Sequence, residues 1–324
     1  MQVTTSGNGQ FSASTKTTDG GTWLQVAPAS GSTPAVLSVS INPQGLTAGS
    51  YTGTISITSP SALATATVNV SLSVISIPTP VIAAIKDAAS YASGGVAPGE
   101  NIVIGGTGIG PTALVGLQLN PNGTVSTNVA GTQVLFDNVP APIVYVSNTQ
   151  TSVMVPYEVA GHTTTQVQVV YQGVASAPAS YNVVALQPGI YAQNAQGSGP
   201  GAILNQDFTV NGPASPAAKG SYVAVYMTGI GQTQPGGTTG AVTPNTVAGQ
   251  KISLLPVTAT VGGVPVPSIA YAGTAPGFVE GVIQVNLQIP AAASSGAQPL
   301  VITFGTSTSA VSFSTQTGIT VQVQ

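Results

Sequence analysis

Side chains able to do acid, base or nucleophilic chemistry are few and far apart. His162, in VAGHTTTQ, is the one histidine, and cysteine is absent. A Ser/His/Asp hydrolase must hold its base between a nucleophile and an acid. His162 lies in a polar turn between strands, so it reads as a solvated loop histidine. Asp19, Asp87, Glu100, Asp137, Glu158, Asp207 and Glu280 are scattered, without the close pair that glycoside hydrolysis uses. Each is expected in a turn or at the surface. Thiol catalysis and thiolate metal sites are excluded outright. The chain is therefore expected not to be an enzyme and to carry no cofactor.

Other short motifs point the same way. GGTGIG at Gly105–Gly110 has the glycine content of a dinucleotide loop, but that loop must open a helix whose N-terminus holds the pyrophosphate. Pro111 and Thr112 follow instead, and TGIG recurs at Thr228, as a structural turn would. Asn205-Gln206-Asp207 is half of a calcium loop without its repeated acids or closing Glu. Two sequons, Asn69-Val-Ser and Asn122-Gly-Thr, offer N-glycosylation sites at Asn69 and Asn122. Asn69 lies outward on a strand and Asn122 in a turn. Trp23 and ten tyrosines supply material for stacking on sugar rings. Trp23 reads as core, and Tyr145, Tyr171, Tyr222 and Tyr226 fall in strands whose exposed face the sequence does not choose.

The elements that hold these residues are strands. In ATVNVSLSV, Val68, Val70, Leu72 and Val74 alternate with Asn69, Ser71 and Ser73, the period of a sheet with one buried face. VLSVSI sets Leu37, Val39 and Ile41 on one side, and GVIQVNLQI sets Ile283, Val285, Leu287 and Ile289 against Gln284, Asn286 and Gln288. NPQG, TAGS, APGE, NPNG and PGG supply turns between the runs. Only PVIAAIKDAASYA has room for a helical turn. Between the later blocks, Ala202–Asn205 and Phe208–Asn211 are expected to form an exposed hairpin around Gln206 and Asp207.

Composition narrows the class. Charged residues make up 3% of the chain and the net charge is −3, against about 25% charged residues in an ordinary soluble domain. No basic patch exists to meet a phosphate backbone, which excludes nucleic acid. Apolar residues reach 42%, enough for several cores. No apolar run approaches the roughly 18 residues of a membrane-spanning helix. An outer-membrane barrel is disfavoured by the 5% aromatic content, too sparse for two interfacial girdles. Residues 1–20 contain no basic and apolar leader pattern.

An internal duplication organises the rest. VAPGENIVIGGTGIGPT parallels PAAKGSYVAVYMTGIGQT, with TGIG offset by 121 residues; the VPxP of TQVLFDNVPAPIVYV returns in VTATVGGVPVPSIAYA, offset by 125; a third block matches loosely. The expectation is an all-β protein of three serial immunoglobulin-like β-sandwich domains: residues 1–77, then 78–187 and 188–324 as the duplicated pair.

Particular phrases carry a resemblance to known families. DAASYASGGVAPGENIVIGGTGIGP, VLFDNVPAPIVYVSNTQTSVMVPYEVAG, GAILNQDFTVNGPASPAAKGS and APGFVEGVIQVNLQIP make residues 80–324 resemble the Solibacter-type C-terminal domain of acidobacterial secreted proteins. GGTWLQVAPASGSTPAVLSVSINPQGLTAGSYTGTISITS resembles a BACON-like immunoglobulin module. The resemblance implies secretion and an extracellular or cell-surface role, with carbohydrate or mucin binding suggested for some BACON modules. It carries over no catalytic residue.

BACON-like domains usually have a strand before the segment that matches QVTTSGNGQFSAS, so either the sequence starts one strand late, or the first domain presents an open sheet edge, a place for a strand of another chain. The terminal strand, with Ile319, Val321 and Val323 on one face, is a candidate donor. These features predict a structural subunit of an extracellular filament or surface assembly, whose partners are copies of itself or other surface proteins. The alternative is an adhesion module that binds carbohydrate or mucin.

Overall fold

Alternation of apolar and small polar residues drives nearly every element into strands, and two turns of 3-10 helix, Tyr157–Val159 and Val247–Gly249, are the helical pieces among the described residues. The computed structural model describes residues 1–4, 8–60, 62, 64–305 and 312–324. Contacts divide the chain into two units, Met1–Ile77 and Pro78–Gln324.

In the first unit the strands Ser30–Ser32, Gln10–Thr17, Gly49–Thr58 and Ala66–Val74 form one sheet in that order. Leu24–Ala27 pairs with Ser38–Ile41, and Gln2–Val3 pairs with Ala35–Val36. Trp23, Leu24 and Ile55 form one core cluster, against which Val26, Tyr51, Val70 and Leu72 pack; Phe11, Ala13 and Leu37 form another. Burial here is thinner than the alternation predicts. Leu37 is buried, but Val39 and Ile41, in phase with it, are 41% and 43% exposed, and Val68 is 39% exposed. Val39 stands opposite Val26, and Ile41 opposite Leu24, so these side chains share the core-facing side. Their exposure follows from pairing: Ser38–Ile41 has Leu24–Ala27 as its one partner among the described residues, and Ala66–Val74 is the last strand of its sheet.

The second unit repeats one pattern twice. Its first half packs the sheet Val115–Gly116, Ile143–Val146, Gln150–Met154, Asn101–Thr107 and Val81–Asp87 against one built around Thr132–Phe136 and Thr164–Tyr171. The second half packs Tyr222–Thr228, Ile283–Gln288 and Ile269–Thr274 against Ile319–Val323, Gly296–Phe304 and Val257–Val261. Asn101–Thr107 corresponds to Tyr222–Thr228, and the VPxP turns end the Thr132–Phe136 and Val257–Val261 hairpins alike. Even the register slips coincide, between Ile143 and Tyr145 and between Ile269 and Tyr271. Ile283, Val285, Leu287 and Ile289 are fully buried.

Two expectations change. VIAAIKD is a strand, Val81–Asp87, because it pairs with Asn101–Thr107 and the resulting ladder outweighs a local helical turn; only the residues after Asp87 turn. The 203–211 hairpin does form, through Asn205–Thr209 and Asn211–Ile203 backbone hydrogen bonds. It is no free arm: Ile203–Asn205 also pairs with Tyr222–Thr228, and Ile203 is buried.

Candidate functional site

Two carboxylates expected at the surface lie in the dry centre of the second unit. Asp87 and Glu100 are fully buried and meet because Asp87 pairs with Ile102, two residues beyond Glu100. Asp87 Oδ1 accepts the Ala89 amide at 3.0 Å, the Ser90 amide at 2.5 Å and the Ser90 hydroxyl at 2.7 Å. Glu100 accepts the Ala97 amide at 2.6 Å and the Gln187 side chain at 3.1 Å. Burial pushes the Glu100 carboxyl well above its ordinary range, and the Asp87 charge adds to the effect; burial also raises Asp87. Two adjacent buried anions are strongly disfavoured. The side-chain interaction with Asp87 raises Glu100 further, and Asp87 Oδ2 itself is buried without a hydrogen-bond partner among the described residues. Glu280 is a third buried acid, paired with Lys251 Nζ at 2.8 Å. A buried charge needs a compensating partner, and Lys251 supplies one to Glu280.

These polar groups tie the two halves of the second unit together. The Asn101 amide donates to Thr228 Oγ1 at 2.8 Å, and Asn101 Nδ2 donates to the Tyr191 hydroxyl at 2.9 Å. The Tyr157 amide donates to Thr239 Oγ1 at 2.9 Å, and Gln232 donates to the Tyr157 carbonyl at 3.1 Å. Val125, Met154 and Val279 close an apolar cluster across the same junction. The arrangement clamps one sandwich to the other.

His162 does have an acid beside it in space, although not in sequence: its Nδ1 lies 3.4 Å from Asp137 Oδ2. Both side chains are solvated, and Asp137 also accepts the Gln166 amide at 2.9 Å, which with the neighbouring imidazole holds its carboxyl below the usual range. Asp207 is capped by the Thr209 hydroxyl at 2.6 Å and its amide at 3.1 Å, as a turn residue is. Trp23 is buried and donates from Nε1 to Asp19 at 3.1 Å. Asn122 and Asn69 are both exposed, and Asn122 Oδ1 caps its own turn through Thr124. Ile319, Val321 and Val323 are buried between Gly296–Phe304 and Gly199–Pro200 of their own sheet, partners they would have to leave to serve another chain.

Tyr145, Tyr171, Tyr222 and Tyr226 are each half-buried. Tyr222 and Tyr226 share the outer face of Tyr222–Thr228, opposite Gln288 and Gln284, and Ala224 faces Asn286. This face borders a groove of about 320 Å³. Tyr226 also lines a cleft of about 510 Å³ at the junction and sits 5.7 Å, centroid to centroid, from the tilted Phe278 ring. Phe208 stands at the groove's side, 83% exposed. The sequence named Tyr222 and Tyr226 but not their orientation; the signal was in GVIQVNLQI, whose buried phase forces Gln284, Asn286 and Gln288 outward.

Residues 80–183 match the family model of the IPT/TIG domain, an immunoglobulin-like fold. No curated protein matches the chain. Among solved structures, similarity covers 97% of this chain and 39% of an endo-fucoidan hydrolase of glycoside hydrolase family 107, at 14% identity and a TM-score of 0.25. It covers 94% of this chain and 38% of domains 4–9 of the surface layer protein SbsC, at 15% identity and a TM-score of 0.24. For extracellular cadherin domains 1–5 of protocadherin gamma B2 the shares are 97% and 53%, at 10% identity and a TM-score of 0.21. The chain thus spans well under two thirds of each of these structures. Among the described residues no helix is long and apolar enough to cross a membrane.

Proposed function

We propose that the chain is a secreted, non-enzymatic structural protein, a subunit of an extracellular filament or surface assembly built by association of strand edges or sheet faces between copies of itself. The observation that carries this reading is the half-covered first unit. Among the described residues Ser38–Ile41 has Leu24–Ala27 as its one strand partner, and its core-facing Val39 and Ile41 remain about two-fifths exposed. Open edges of this kind pair with further strands unless something blunts them. Proline, lysine and inward charge are the usual means, and the SVSI segment contains none of them. A net charge of −3 on 324 residues supplies little repulsion between molecules. The duplicated sandwiches, clamped at their junction, supply a stiff body for such an assembly. The resemblance to secreted acidobacterial proteins and to BACON-like modules supports the extracellular setting.

Negative-stain electron microscopy of the full chain over a wide concentration range tests the proposal. Regular filaments or ordered sheets are expected as concentration rises; dispersed monomers throughout would refute it.

A further inference from the structure

The outer face of the second copy carries a site independent of that assembly. We infer that the groove over Tyr222–Thr228 and Ile283–Gln288 binds an uncharged polysaccharide, with Tyr226 as the ring on which a sugar stacks and Gln284 and Asn286 as the groups that read its hydroxyls. The chemistry of the lining selects the ligand. Flat aromatic faces combined with a few oriented polar groups make a recognition surface for a molecule that is apolar on one side and hydroxylated at its rim. Gln284 Nε2 donates to Asn286 Oδ1 at 2.8 Å, and both residues line the groove, where a second amide donor and acceptor remain for a ligand. No charged side chain lines either the groove or the adjoining cleft, so nothing there attracts a sulfated or carboxylated polymer.

A peptide strand is a poor occupant, because Tyr222–Thr228 is paired on both sides, with Ile283–Gln288 and with Gly189–Ile190 and Ile203–Asn205. No backbone edge is left there to extend.

The duplication supplies an internal control. Gly105 occupies the place of Tyr226, and Gly105 stands opposite Gln150 as Tyr226 stands opposite Gln284. The sandwich is therefore built without an aromatic at this position. Phe208 adds a second sign of the same kind: it holds a left-handed φ of 65° while 83% exposed. Such a backbone is disfavoured for a bulky residue, and a ring directed at solvent does little for packing within the fold.

Affinity electrophoresis of the full chain in native gels containing dextran, laminarin, xyloglucan or galactomannan, with polygalacturonate as the charged control, tests the site. Retardation by at least one uncharged polymer is expected. Tyr226→Leu, which keeps the bulk but removes the ring, is expected to weaken it about tenfold, and Gln284→Ala several-fold, while Tyr171→Ala in the first copy leaves it unchanged. Circular dichroism of each variant checks that the sheet is intact. Absence of retardation by all four polymers, retardation by polygalacturonate alone, equal retardation of Tyr226→Leu, or a Tyr226→Leu effect on self-association alone would overturn the assignment. Ile41→Thr in the first unit separates the two proposals, since it should leave retardation intact while reducing assembly.

Discussion

The first and second units are woven from the same kind of strand yet close their cores to different degrees. In the second, each half sets two sheets face to face, and Phe136, Phe304, Ile283 and Leu287 lose essentially all contact with water. In the first, the alternation of SVSI is as regular as that of IQVNLQ, but Val39 and Ile41 stay substantially wet. The difference is not one of residue type. It lies in how many neighbours each strand has: Ile283–Gln288 is flanked on both sides, and Ser38–Ile41, among the described residues, on one. A regular pattern can therefore mark either a finished core or a face still waiting for a partner.

Single substitutions measure that contrast. Phe304→Ala opens a cavity in the closed core and is expected to destabilise the second unit by about 3–5 kcal/mol. Leu37→Ala, at the one fully buried position of VLSVSI, should cost the first unit about 2–4 kcal/mol. Ile41→Ala, four residues on, should cost only about 1 kcal/mol, because much of its side chain is already hydrated. Urea titrations separate the units: Trp23 is the only tryptophan and is buried in the first unit, so its emission follows that unit, whereas tyrosine-weighted near-ultraviolet dichroism follows both. Equal costs for Ile41→Ala and Leu37→Ala would mean that the first unit is as closed as the second.

A pH series sharpens the contrast from the other side, since the buried acid pair belongs to the second unit alone. The folded pKa of Glu100 lies above its ordinary value of 4.5, so between those two values the folded form keeps a proton that the unfolded chain has released. Stability from this group is complete below pH 4.5 and falls as pH rises through the folded pKa. Glu100→Gln keeps a donor beside Asp87 and removes the proton exchange; the fall in urea midpoint with pH should flatten for the second unit and stay the same for the first. An unchanged slope in the variant would assign the pH dependence to other groups.

Much of this was visible in the amino-acid order, and the failures have physical causes. Period-two alternation places the strands ATVNVSLSV and GVIQVNLQI, with a closed core face only in the second, and the TGIG and VPxP turns mark equivalent corners of the two copies. Asp87 and Glu100 escaped notice because charge is ordinarily a surface property, and their approach depends on the Asp87–Ile102 pairing. One clue was present: Asp87 stands two residues after Ile85, in the inward phase of its strand. His162 and Asp137 meet likewise through folding, not through sequence proximity. The exposure of Val39 and Ile41 was hidden for a different reason, since alternation specifies which face is apolar but not what will cover it.

Backbone hydrogen exchange across Ser38–Ile41, compared between dilute and assembled protein, tests the open edge most directly. Assembly is expected to slow the amides of this strand that point away from Leu24–Ala27 by at least tenfold, while the interior amides of Ile283–Gln288 remain equally protected in both states. Assembled protein whose Ser38–Ile41 amides exchange as fast as those of the monomer would contradict the account.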